Sequence, residues 1–254
     1  NPFFMTWPWH NAWCGDLDLC GFKKPQSHFR DVVWRRSAIE LAVHRPLPAG
    51  AGETLSWWGW PDEEPSWNWQ GCEGDELEVV AYTRADEVRL ELNGKVVGTK
   101  PVSEASSLAA RFAVPYAEGK LRAVALSGGR TVGEATLETT GPPCRVRLTP
   151  DRVLLSRHSR DLAFVTVEVV DAAGRRIPDA SIPLRFAVDG PGILIGQCSG
   201  APDRPASFQR PECTTFRGRC MAIVQTTGEA GQLVLRCDGE GVESGEARLR
   251  VEDE

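Results

Sequence analysis

Two acidic residues, a histidine and a run of indoles near the start of the chain have side chains suited to act on a ligand. Asp16 and Asp18 stand two apart in Gly15-Asp16-Leu17-Asp18. Retaining cleavage of a glycosidic bond needs two carboxyl groups about 5 Å apart, one as acid/base and one as nucleophile. Residues two apart in a short loop tend to point in different directions, and Asp beside Gly is an ordinary turn or capping residue. Both aspartates are therefore expected to shape the loop. His10, within Trp9-His10-Asn11, has no base or nucleophile beside it and reads as a contact on the rim of a cleft. Trp7, Trp9 and Trp13 offer flat faces on which sugar rings stack; the other reading is that they bury area where parts of the chain pack. All nine tryptophans fall within the first 70 residues, and for Trp57, Trp58, Trp60, Trp67 and Trp69 packing is the expected role.

The remaining candidates are thiols and imidazoles. Eight cysteines stand at 14, 20, 72, 144, 198, 213, 220 and 237, and no two are three apart, so no C-x-x-C knuckle exists. Cys220 and Cys237 would lie opposite each other if the strands around Ala222–Val224 and Leu233–Leu235 formed a hairpin; buried thiols filling a core are the expectation. His28, His44 and His158 show no metal-ligand spacing. No metal and no cofactor are expected. Redox state and compartment stay open.

With 254 residues, 41% hydrophobic and 25% charged, the composition is that of a folded globular chain. The net charge of −6 argues against a nucleic-acid partner, which would want a basic face. No apolar run approaches the roughly 20 residues that cross a bilayer. A chain opening Asn-Pro-Phe-Phe, with neither Met nor a charged-then-apolar leader, is expected not to start at a natural N-terminus.

These residues must be positioned by a tight loop and one helix. Pro25 sits where a first-turn proline is tolerated, and Phe29, Val32 and Val33 recur at helical spacing. One short helix cannot bury that stripe alone, so Phe29, Val32 and Trp34 are expected to need a partner outside this chain, without which they form an exposed apolar patch. Arg45–Gly52, with two prolines and two glycines, reads as a boundary. Beyond it the pattern turns to strands at 77–82, 87–92, 95–98, 109–115, 120–127 and 131–139, with Asn93-Gly94 as the strongest hairpin signal. Gly141-Pro142-Pro143 marks a second boundary, followed by strands at 145–149, 162–170, 182–188, 192–197, 218–226, 231–237 and 246–251. Six or seven short strands at such spacing indicate a sandwich. Ser199–Pro211 is the longest irregular stretch, with Asp203-Arg204 expected as a solvated turn.

The run Gly15-Asp-Leu-Asp-Leu-Cys-Gly-Phe-Lys-Lys-Pro-Gln-Ser-His-Phe-Arg-Asp31, with Pro8-Trp9-His10 before it, resembles the end of the catalytic barrel of glycoside hydrolase family 2. The likeness is to β-galactosidase-type members with extra C-terminal domains, and it continues along nearly the whole chain. It implies a fold that is mainly β: two immunoglobulin-like β-sandwiches preceded by the final loop and helix of a (β/α)8 barrel. The implied domains are 1–45 (barrel end), 46–140 (first sandwich, with a Trp-rich entry) and 141–254 (second sandwich, of invasin-like type). In the family both catalytic residues are glutamates on earlier barrel strands, so none is expected here. The implied function is the C-terminal accessory portion of a retaining β-glycosidase. Its implied partners are the N-terminal catalytic portion, a carbohydrate substrate and a possible second copy of the enzyme. Trp7, Trp9, His10 and Trp13 are the candidate cleft rim. The alternative is a non-enzymatic tandem immunoglobulin-like binding or adhesion module, against which the lone loop and helix count.

Overall fold

The computed structural model describes residues 7–8, 12, 14–48, 50–55, 59–204 and 206–253. Two compact units emerge, one chiefly Lys23–Thr139 and the other chiefly Thr140–Glu254 with Asp18–Phe22.

The first unit opens with α1 (Pro25–Val33) and continues through β1 (Ile39–His44), β2 (Glu63–Glu64), β3 (Glu76–Thr83), β4 (Glu87–Leu92), β5 (Lys95–Pro101), β6 (Ala109–Pro115), β7 (Lys120–Ser127) and β8 (Arg130–Glu138). Two four-stranded sheets, ordered β2-β1-β3-β6 and β5-β4-β7-β8, enclose one core. Alternation along β4 sends Val88 and Leu90 inward while the charged residues between them stay on the outer face. The Asn93-Gly94 turn joins β4 to β5 with both residues at positive φ (52° and 78°), the backbone that such a two-residue hairpin loop requires. Strand β3 begins with the same alternation and then becomes buried on both faces. Leu77, Val79 and Ala81 enter the core, whereas Val80 and Tyr82 form a second cluster with Val32, Phe29 and Trp60.

That second cluster corrects the expectation for the helix stripe. Val32 is buried, and the Phe29 ring lies 5.0 Å from Trp60 and 5.1 Å from Tyr82. The first sandwich itself covers Phe29 and Val32, because β3 carries apolar residues on its outer face as well. Only Trp34, at 61% exposed, remains uncovered within the unit. Strand β1, absent from the strands expected from the sequence, pairs antiparallel with β3 from Ile39↔Thr83 to Val43↔Val79. Trp67 is fully buried in the core, with its indole N–H donating to Ala117 O at 2.9 Å and Tyr116 edge-on at 5.1 Å.

The second unit contains β9 (Arg145–Pro150), β10 (Leu154–Ser156), β11 (Leu162–Val170), β12 (Pro183–Asp189), β13 (Gly192–Cys198), β14 (Glu212–Thr214), β15 (Arg219–Thr226), β16 (Gly231–Gly239) and β17 (Val242–Glu252). They run in one order, β13-β15-β11-β9-β17-β16-β12-β14, with β10 added parallel to β17. The two halves of this sheet face each other across a core that includes Val165, Val224, Phe186, Leu235 and Leu249. They join where β9 meets β17 through a single parallel pair, Arg145↔Glu243.

Cys220 and Cys237 do not sit on a hairpin. Strand β15 pairs with β11 and β13, whereas β16 pairs with β12 and β17, so the chain between them crosses from one half-sheet to the other. Both are free, fully buried thiols that share the core with Cys213. Burial is the main influence pushing the Cys237 thiol up to about 12, so it stays protonated and acts as a small apolar filler.

Candidate functional site

Among the four candidate rim residues, only Trp7 belongs to the described part of the chain, where it is 77% exposed in a turn. Trp9, His10 and Trp13 lie outside the described residues. An indole that exposed can meet a flat apolar ligand face, such as a sugar ring.

The loop that carries the family-like motif is closed by its own aspartates. Asp18 Oδ1 accepts from Cys20 N–H at 2.9 Å and Phe22 N–H at 3.0 Å, and Gly21 turns the chain at φ 78°. Asp16 instead meets the Arg30 guanidinium of α1 at 2.9 Å. Each carboxylate has a structural role, and the two belong to different compact units. On the second unit, Phe22 stacks under Arg219 with the guanidinium carbon 4.2 Å from the ring, and the Cys20 thiol donates to Cys198 O at 3.1 Å. Burial is the main reason that the Arg219 pKa falls to about 10, leaving it charged at neutral pH.

Beneath α1 the first unit buries a carboxylate. Glu63 is 1% exposed, its Oε2 accepting from the Tyr82 hydroxyl at 2.7 Å and its Oε1 lying 3.6 Å from Arg111. Burial pushes its pKa above the ordinary value, and the Tyr82 hydrogen bond and the Arg111 charge only partly oppose that rise. Sequence reading missed this group because Glu63-Glu64, set between prolines, gives no periodic signal. A buried glutamate beside a tyrosine can exchange a proton, but at 1% exposed Glu63 is shut away from solvent.

A second cluster stands where α1 turns toward β1. His28 Nδ1 lies 3.3 Å from Glu40 Oε2, and Asp31 is ion-paired to Lys23. In sequence these residues are too scattered to read as a set; the turn from α1 into β1 brings them together.

On the second unit, a groove of about 820 Å³ runs beside β12 and β14, lined by Arg185, Arg210, Glu212, Cys213, Asp238 and Glu240. Arg185 and Glu212 pair with each other at 2.5 Å. The Ser199–Pro211 stretch is pinned: Gln197 N–H donates to Phe208 O at 2.8 Å, and Arg204 reaches Ser181 Oγ at 3.1 Å and Thr215 O at 3.2 Å. The chain turns at 202–203 and Arg204 is exposed, as expected of a solvated turn, while its guanidinium also ties the loop down.

Residues 146–248 match the glycoside hydrolase family 2 C-terminal domain 5, and residues 74–133 match a domain of unknown function. Over its full length the chain is 30% identical to the β-galactosidase BoGH2A of Bacteroides ovatus, of which it covers 27%. It is 31% identical over 67% of its length to a β-glucuronidase of Formosa agariphila, of which it covers 18%. Among solved structures, a glycosyl hydrolase family 2 member from Bacteroides cellulosilyticus superposes with a TM-score of 0.91 at 29% identity, over 97% of this chain and 32% of that one. The chain thus spans roughly a fifth to a quarter of the curated relatives it matches. Its relatives are family 2 β-galactosidases and β-glucuronidases, matched as the C-terminal accessory portion of a glycoside hydrolase would be.

Proposed function

From a chain that carries a glycoside hydrolase family 2 C-terminal domain over residues 146–248, we propose that it serves a retaining β-glycosidase as its accessory portion. The observation that carries this is the full-length match to a β-galactosidase nearly four times as long, which supports a catalytic part in sequence outside these 254 residues. In this reading the Gly15–Phe22 loop and α1 are the last loop and helix of a (β/α)8 barrel, residues 1–45 being its end. The motif likeness supports that assignment, as does the uncovered Trp34 on α1. Residues 46–140 and 141–254 are accessory sandwiches of immunoglobulin-like type, supported by their two enclosed cores. Trp7, Trp9, His10 and Trp13 form part of the cleft rim, for which the exposed Trp7 indole is the structural support. The reaction is retaining hydrolysis through a glycosyl-enzyme, with both carboxyl groups supplied by the barrel.

Aryl β-galactosides and aryl β-glucuronides, offered to the purified chain and to the longer polypeptide containing it, test the assignment. The expected result is no turnover by the chain alone and turnover of one substrate by the longer polypeptide. Turnover by the chain alone that persists through repurification would overturn it and move the carboxylates into these residues.

A further inference from the structure

Three side chains with no part in glycoside cleavage meet where α1 turns into β1. His28 and Asp31 are one helical turn apart on α1 and so share a face, and Glu40 is the second residue of β1. The imidazole nitrogen and the two carboxylate oxygens all lie within 4.8 Å of one another. Two donors bound to one tetrahedral zinc ion stand about 3.4 Å apart, given bonds of about 2.1 Å. His28 Nδ1 and Glu40 Oε2, at 3.3 Å, are already at that spacing.

The set is held by rigid elements. Asp31 O accepts from Arg36 N–H at 2.7 Å and Ser37 N–H at 3.2 Å, and the Ser37 hydroxyl donates to Ile39 O at 2.9 Å. These bonds lock the turn that places Glu40 against the helix. Val32, next to Asp31, is buried against β3, which fixes the rotation of α1 about its axis. The donors are also sheltered: the Asp31 side chain is 10% exposed, that of Glu40 25% and that of His28 31%.

Charge argues in the same direction. Two carboxylates this close repel unless a cation lies near, and burial of one of them strengthens that repulsion. The ammonium of Lys23 pairs with Asp31 from a side chain that is 45% exposed. A divalent ion would instead meet both carboxylates and the imidazole together. One nitrogen and two oxygen donors suit zinc, cobalt or manganese; an all-oxygen set would suit magnesium or calcium.

We propose that His28, Asp31 and Glu40 form a binding site for a divalent transition-metal ion, with water completing the shell and Lys23 as its competitor. The ion would clamp α1 to β1. The site is separate from the sugar chemistry and stands whether or not the glycosidase reading does.

Cobalt(II) is the probe, added to the full chain kept reduced so that thiol coordination can be recognised by its intense sulfur-to-metal band in the near ultraviolet. One equivalent should bind with visible ligand-field bands and without the sulfur band. His28→Gln and Glu40→Gln should each weaken binding at least about tenfold, while Lys23→Met tightens it. Circular dichroism without metal checks that each variant is folded; both substituted donors are partly exposed, so the fold should survive. No bands in the wild type, or bands that persist unchanged in both donor variants, would overturn the proposal.

Discussion

Glu63 shows what one residue can do against its surroundings. Its folded-state pKa stands above the ordinary 4.5, with burial as the main cause, so the folded chain holds this proton more tightly than the unfolded one. A raised carboxyl pKa means that Glu63 contributes most at low pH, and the contribution is lost as pH climbs from 4.5 through the folded value. Glu63→Gln keeps an acceptor for the Tyr82 hydroxyl and removes the titration. Calorimetric melts from pH 4 to 8 should show wild-type stability falling relative to the variant as pH rises; parallel curves would show that Glu63 carries no such linkage. Asp171 is the opposite case. Its side chain is buried, which works against ionisation, yet Gly141 N–H, Arg175 N–H and the Arg175 guanidinium hold its pKa at about 2. Neither environment is legible in the sequence, because burial and a hydroxyl 19 residues away set Glu63, while at Asp171 the nearby Arg175 is joined by Gly141, 30 residues away.

At the scale of elements, the legible parts were those whose burial repeats. Strands β4, β6, β11, β15 and β16 alternate along most of their length, and Asn93-Gly94 named its own hairpin. Strand β1 was missed because six residues directly after a helix give too short a pattern, and its strand character comes from pairing with β3. Strands β2 and β14, two and three residues long, exist only through their partners. The Cys220–Cys237 expectation failed because neighbours in sequence entered opposite half-sheets, a choice made by the whole sandwich. The α1 stripe was read correctly but its cover was not, since Trp60 and Tyr82 come from separate segments. If that cover holds the helix, Phe29→Ala should cost about 3–5 kcal/mol in the first unit or release α1 locally. Hydrogen exchange at α1 amides reports this directly; unchanged protection there would mean that the aromatic cluster does not secure the helix.

For the molecule as a whole, two sandwich cores account for most buried apolar residues, and the accessory assignment follows from what the chain matches rather than from any site within it. The candidate rim was the least legible part: aromatic faces signal sugar contact only when their surroundings are known, and of the four residues only Trp7 is described. One further consequence follows from the seam in the second unit. Strand β17 borders β16 along its length, takes β10 on its other side, and touches β9 at one pair. It is the shared cover for strands of both half-sheets. A chain shortened to end before Val242 would bare one edge of β16 and strip β10 of the strand it pairs with, leaving open backbone edges that template self-association. Such a product should pellet or show light scattering at concentrations where the full chain stays clear, and a clear, monomeric shortened chain would show the edges to be guarded in another way. A strand that looks like mere finishing thus closes the backbone edges of β16 and β10.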